Sequence, residues 1–323
     1  MSNQYQFTFK GKGGDFFIIF LKNIFLTIVT LGVYKFWAQV EVNKFLYRNT
    51  EFSNSPFDFH GTGKEKFMGF LKAMLIIVPG IIGYAMLSTL LVSVFGPQVG
   101  QVISIILLYG TILALQPLIM IGSKRYALSR TSWHQIRFSF HGKYKDLVLI
   151  MVKGAFLTGI TFGIYSAWFF NELNHFNVNH SKFGNKSFRY KGDGSEYFKV
   201  FFLGYLLTII TFGIYSFKWR ADLDRYYYKN LEFGEGSFKS EITGFELFKN
   251  DIVVFAMIIF SLGLAMPWAM VKSLQFQFSM LSFNGNPGLE EVFAYMDEKS
   301  SALADGLADS GEAIDTVGDF VGV

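Results

Sequence analysis

The sequence predicts an all-α integral membrane protein, and three observations carry that expectation. Apolar residues make up 51% of the 323-residue chain and charged residues 17%, with mean hydropathy +0.32, where a soluble domain averages about 25% charge. Six stretches, roughly 16–36, 70–95, 100–121, 147–169, 197–217 and 252–271, are apolar enough and long enough to cross about 30 Å of hydrocarbon. A unit of roughly fifty residues also recurs five times, with starts near 7, 57, 138, 188 and 238. About six transmembrane helices built from five quasi-repeats is the simplest reading. The first stretch is expected to be retained rather than cleaved, because its lead-in MSNQYQFTFKGKGGD is long and polar and the stretch recurs as a repeat unit.

Each unit opens on a short extended piece: FTFKGKGGDF, FDFHGTGKEKF, FSFHGKYKDL, FRYKGDGSEYF and the degenerate FKSEITGFELF. Their third residues fall at 9, 59, 140, 190 and 240, and an acid follows six residues later at Asp15, Glu65, Asp146, Glu196 and Glu246. The single 81-residue step, against 50 elsewhere, is expected to hold one inserted helix within 70–121.

An apolar helix follows in each unit and closes on a hydroxyl-glycine turn. Thr30, Thr161, Thr211 and Ser261, with Gly32, Gly163, Gly213 and Gly263 two residues on, fit a helix end bent by a hydroxyl returned to the backbone. Bent helix ends gathered by pseudo-symmetry can expose backbone to a solute, so these eight residues are the candidate solute lining. Packing of small residues is the competing reading.

Past the turn, Trp37, Trp168, Trp219 and Trp268 suit the membrane interface. An amphipathic segment follows, with aromatics at Phe45, Tyr126, Phe176, Tyr226 and Phe276 and again seven residues later at Phe52, Trp133, Phe183, Phe233 and Phe283. Seven residues is two helical turns, so a helix lying in the head-group layer is expected, bases outward. Lys44, Arg125 and Arg225, with Lys22, Lys72 and Lys153 seven residues after the acids, are the candidate lipid head-group contacts.

The arrangement of FxFxGxG, T(L/F)G(V/I)Y with its following Trp, and NTEF at 49–52 resembles the YjgN family of bacterial inner-membrane proteins, defined by a domain of unknown function. The resemblance covers about 9–285 and implies a multi-pass protein of the bacterial inner membrane. It supplies no substrate, cofactor or catalytic residue.

No metal, cofactor or catalytic site is expected. His60 and His141 share a repeat slot that holds Lys10 and Lys191 elsewhere, and lysine is no zinc ligand; His175 and His180 are five apart, off the helix-face geometry. GKGG, GTGK and GDG lack phosphate-loop spacing, and no nucleophile elbow occurs. Zero cysteines exclude disulfides.

Residues 289–323 hold nine acids and one base, leaving +12 on residues 1–288. The basic body fits anionic lipid, and no soluble basic domain is present for nucleic acid. The acidic remainder reads as a flexible tail.

Two functions are expected: binding or transport of a small solute or lipid between pseudo-symmetric helices, or a non-transporting scaffold that holds anionic lipid or a partner through basic-aromatic helices. An enzyme is the weaker third. One crossing per unit would alternate the connectors across the membrane, and the positive-inside rule then puts 38–64, 119–145 and 219–245 in the cytoplasm. The rival is re-entry at the Thr-Gly turn, which keeps all connectors on one side.

Overall fold

The structure is a computed structural model, and it describes residues 4–293. The acidic stretch beyond 293, expected to be a flexible tail, lies outside the described residues.

The FxF pieces are not isolated extended segments. In the first four, alternation puts both aromatics on one face and the glycine beyond ends the run, which is the pattern of a half-buried strand. Ten antiparallel strands form a closed barrel. Each unit contributes a strand, two helical arms and a returning strand. The first has β1 (Gln4–Phe9), α1 (Gly13–Val29), α2 (Lys35–Arg48) and β2 (Thr50–Phe52). The second has β3 (Ser55–Phe59), α3 (Gly63–Ser129) and β4 (Thr131–Trp133). The third has β5 (Ile136–Phe140), α4 (Tyr144–Ile160), α5 (Ser166–Asn179) and β6 (Ser181–Phe183). The fourth has β7 (Lys186–Tyr190), α6 (Gly194–Ile210), α7 (Ser216–Lys229) and β8 (Leu231–Phe233). The fifth has β9 (Glu235–Ser240), α8 (Gly244–Phe260), α9 (Met266–Ser279) and β10 (Leu281–Asn286).

Strands within a unit are antiparallel neighbours joined by helices, and strands of successive units are joined by tight turns. Two of those turns place both central residues at positive φ, Ser53 and Asn54 at 52° and 60° and His134 and Gln135 at 48° and 65°, the twist that matches a hairpin. With this alternation every helical excursion leaves one end of the barrel and every tight turn lies at the other.

The register sets aromatics side by side on neighbouring strands, facing the lumen: Phe7 with Phe52, Phe57 with Trp133, Phe138 with Phe183, Phe188 with Phe233 and Phe238 with Phe283. These ten rings line the interior. The turn end is closed by residues 287–293, where Val292 is wholly buried and Phe293 lies against Trp133. Thus part of the segment assigned to the tail belongs to the fold.

The acid six residues after each third position is the third residue of the first arm in all five units. Thr62 with Glu65 and Thr243 with Glu246 form reciprocal capping boxes, and the others place a carboxylate against the helix N-terminal dipole. At the far end Thr30 Oγ1 donates to Leu26 O at 2.7 Å and accepts from Tyr34 N at 2.9 Å, while Leu31 and Gly32 take φ of 50° and 91°. The chain reverses there, and α2 runs back along α1.

In the second unit both arms are longer. α3 departs from helical geometry at Gly96 (φ 80°, ψ 166°), and Arg130 meets Glu65 at 2.8 Å across 65 residues, so 63–95 and 97–129 are antiparallel arms. Tyr84 Oη donates to Ser104 O at 3.3 Å between them. The 81-residue step therefore lengthens one hairpin rather than adding a helix.

The expected all-α protein of about six transmembrane helices is overturned on these findings. The extended pieces close a ten-stranded barrel, and among the described residues only α3 is long and apolar enough to cross a membrane. The apolar runs of the other units are 17-residue arms, about 25 Å of helix, that turn back. The amphipathic segments expected to lie in the interface are the returning arms. With all tight turns at one end, the connectors do not alternate between two faces.

Candidate membrane-facing crown and its polar base

The five hairpins form a closed ring, with α1 touching both α2 and α9. The apolar residues of the arms face outward, and the tips are the most exposed points: Leu31 and Leu262 at 94%, Phe162 and Phe212 at 98%. All four sit at φ of 49–51°, a left-handed conformation that costs a side-chain-bearing residue roughly 1–2 kcal/mol.

The candidate solute lining lies at these tips. The hydroxyls are bound into the turn: Thr161 Oγ1 donates to Leu157 O at 2.6 Å and accepts from Tyr165 N at 3.0 Å, Thr211 does the same with Leu207 and Tyr215, and Ser261 with Ile258 and Ala265. Gly32, Gly163, Gly213 and Gly263 adopt φ of 88–92° and have nothing within 4 Å of a built Cβ, so they serve the reversal and not close helix contact.

The candidate head-group residues divide. Lys22 pairs across its hairpin with Glu41 at 2.6 Å and Lys153 with Glu172 at 2.7 Å, rather than with the acids two turns below; Lys72 and Lys44 make no ion pair with a described residue. Arg125 Nη2 donates to Gly142 O at 2.9 Å and Arg225 Nη1 to Ile242 O at 3.2 Å; His175 Nε2 meets Gly192 O at 2.7 Å. In these three units the slot ties the hairpin to the strand end of the next unit.

The tryptophans pack between hairpins. Trp37, Trp168 and Trp268 lie so close to Gly63, Gly194 and Gly13 at the base of the next first arm that no Cβ fits there. In these three units the hairpin leans on its neighbour's base. The fourth unit departs: its indole, Trp219, packs on Gly204 within its own hairpin, and Lys218 occupies the slot against Gly244, 2.6 Å from Cα to a built Cβ.

Sequence reasoning missed two cavities. The barrel lumen encloses about 260 Å³ with wholly apolar walls, including Phe57, Phe138 and Leu231. A second, of about 770 Å³, lies between α6, α7 and β9 and is lined by Lys199, Lys218, Asp222, Arg225, Lys229, Lys239 and Ser240 among others. There Asp222 accepts from Lys218 at 3.1 Å and pairs with Arg225. Ser240 Oγ donates to Asp224 Oδ2 at 2.7 Å, and burial raises the Asp224 carboxyl pKa against that hydrogen bond. The signals for this site in the sequence are Lys199, Lys218 and the loss of the aromatic at 240 from the fifth FxF piece.

A family model described as "Bacterial protein of unknown function (DUF898)" matches residues 4–192, 185–259 and 219–310. The chain is 30% identical over 139 residues to "Inner membrane protein YjgN" of Salmonella typhimurium (strain LT2), which is 43% of this chain and 32% of that protein. It is 34% identical over 143 residues to the protein of the same name from Escherichia coli (strain K12), 44% of this chain and 32% of the relative. The matched stretch therefore spans about a third of the length of these relatives. No solved structure matches.

Proposed function

Because the chain belongs to the DUF898 family of bacterial proteins of unknown function, and the relatives it matches are named inner membrane proteins, we propose that it is an inner-membrane scaffold that grips lipid with its helical crown. The α3 hairpin passes through the bilayer, and the four shorter hairpins enter from one side. The barrel stands on the cytoplasmic face. The tip regions 30–34, 94–99, 161–165, 211–215 and 261–265 carry no Lys or Arg, and that charge bias supports a cytoplasmic barrel end.

One observation carries this reading. Four bulky apolar tips are held in left-handed backbone and almost fully exposed, an arrangement that water opposes twice and a lipid interior opposes once. Scaffolding is favoured over solute passage because the tip hydroxyls are engaged by backbone and the barrel lumen is aromatic and closed at its turn end.

The chain has no cysteine, so single-cysteine labelling tests the orientation. Cysteines at Asn54, Asn185 and Glu235, all exposed on the barrel, should react alike with an impermeant thiol reagent in inside-out vesicles and resist it in intact cells. Opposite behaviour of Asn54 and Asn185 would overturn the one-sided arrangement. Replacing Phe162 and Phe212 by glycine relieves the left-handed backbone, so detergent-solubilised protein should be unchanged or more stable by about 1 kcal/mol per site. The same variant should leave the membrane at lower detergent concentration. A loss of stability would assign those rings to packing.

A further inference from the structure

We propose that the cavity between α6, α7 and β9 binds the phosphate of an anionic glycerophospholipid. The proposal rests on the membrane reading above and adds a site and a ligand class to it.

Three departures from the other units converge on this one cavity. Lys199 stands where the first three units carry Ile18, Met68 and Leu149; the fifth also has a lysine there, Lys249, but its unit lacks the other two changes in one groove. Lys218 stands where three units carry an indole. Ser240 stands where the other four carry Phe9, Phe59, Phe140 and Tyr190. The first two changes add cations, and the third removes a ring and leaves space. Each alone is an eroded repeat; together they open and charge a single volume. About 770 Å³ is within the size range of small-ligand sites.

The charge is in excess. Asp222 holds Lys218 and Arg225 side by side, and Lys239 is matched by Glu241 at 2.6 Å. Lys199 and Lys229 have no ion-pair partner among the described residues. Two unpaired lysine ammonium groups beside a held arginine supply the point charges that take up phosphate oxygens. The equivalent groove of the third unit supplies the contrast: it is smaller, about 510 Å³, and its Lys153 is neutralised by Glu172 at 2.7 Å.

The walls favour a lipid over free phosphate. Val200, Leu203 and Phe238 border the same cavity, and Leu203 continues into the exposed aliphatic face of α6 at Leu206 and Ile210. A head group in the cavity would leave its acyl chains along that face.

The test uses the full chain in nonionic detergent with short-chain phosphatidylglycerol, short-chain phosphatidylcholine and inorganic phosphate as probes. Phosphatidylglycerol should bind about tenfold or more tightly than phosphatidylcholine, because both offer the phosphate and only the choline ammonium is repelled by the excess lysine charge. The double variant Lys218→Trp with Ser240→Phe restores residues that other units carry in these slots, and it should abolish that preference. Lys199→Gln with Lys229→Gln, which changes no packing ring, should do the same if the first variant folds poorly. An unchanged preference in a folded variant overturns the site. Binding of inorganic phosphate equal to that of phosphatidylglycerol overturns the lipid assignment. Recovery of the variants in the membrane fraction separates the two readings: failure there would count against membrane docking, whereas a membrane-bound variant with intact preference counts only against the cavity.

Discussion

Valine in place of Gly100 should keep the long hairpin from closing. A Cβ at this position would lie 2.5 Å from Val92 Cα and 2.6 Å from the Leu91 carbonyl carbon, and backbone atoms cannot turn aside as a side chain can. The arms are about 50 Å long at the helical rise, and their outer halves are largely exposed. Little else holds them there: Tyr84 to Ser104 is a single bond, and the chain reverses at Gly96 with Pro97 fixing the next φ. Forcing the arms apart should cost about 3 kcal/mol and unseat the tip, the range expected for overpacking against a rigid neighbour. Protease cleavage near 90–100 in proteoliposomes would report it. Gly110→Val is the control, because a Cβ there meets nothing within 4 Å. If the two variants behave alike, the arms are not in contact at Gly100.

The Thr-Gly turns were readable as bends, and FxFxG as extended chain, yet the fold class was not. Phe45 and Phe52 show why. Their spacing of seven fits two turns of one helix, but the helix ends at Arg48, where Asn49 Nδ2 donates to Phe45 O and Thr50 Oγ1 to Leu46 O. Phe52 belongs to a strand and faces the lumen. A three-residue strand such as β2 is shorter than any alternation can reveal, and its partners are set by closure of the whole ring. The same limit applies to Lys22, whose spacing from Asp15 suggested a pair along one helix. A chain reversal brings Glu41 nearer, and local periodicity does not report reversals. Of the basic cavity, the sequence shows only the deviations Lys199, Lys218 and Ser240; that they meet depends on how each hairpin leans on the next.

Truncating Phe183 to alanine should be among the most damaging single changes in the barrel. The strands are short, so each pair contributes few backbone bonds, and the lumen must supply what the ladders lack. Phe183 is 2% exposed and lies 4.8 Å from Phe138, 5.8 Å from Trp133 and 6.1 Å from Phe233, centroid to centroid. Removing a ring from such a site costs about 3–5 kcal/mol, against a total stability of about 5–15 kcal/mol for ordinary domains. The loss should not stay local, because β6 links β5 to β7 and an open barrel no longer sets the hairpin bases at fixed spacing. Denaturant unfolding in detergent micelles should therefore show one cooperative transition, shifted strongly for Phe183→Ala and hardly at all for Phe162→Ala, whose ring touches solvent on nearly every side. Equal shifts for the two would mean that the lumen rings do not hold the barrel closed, and the crown would need another support.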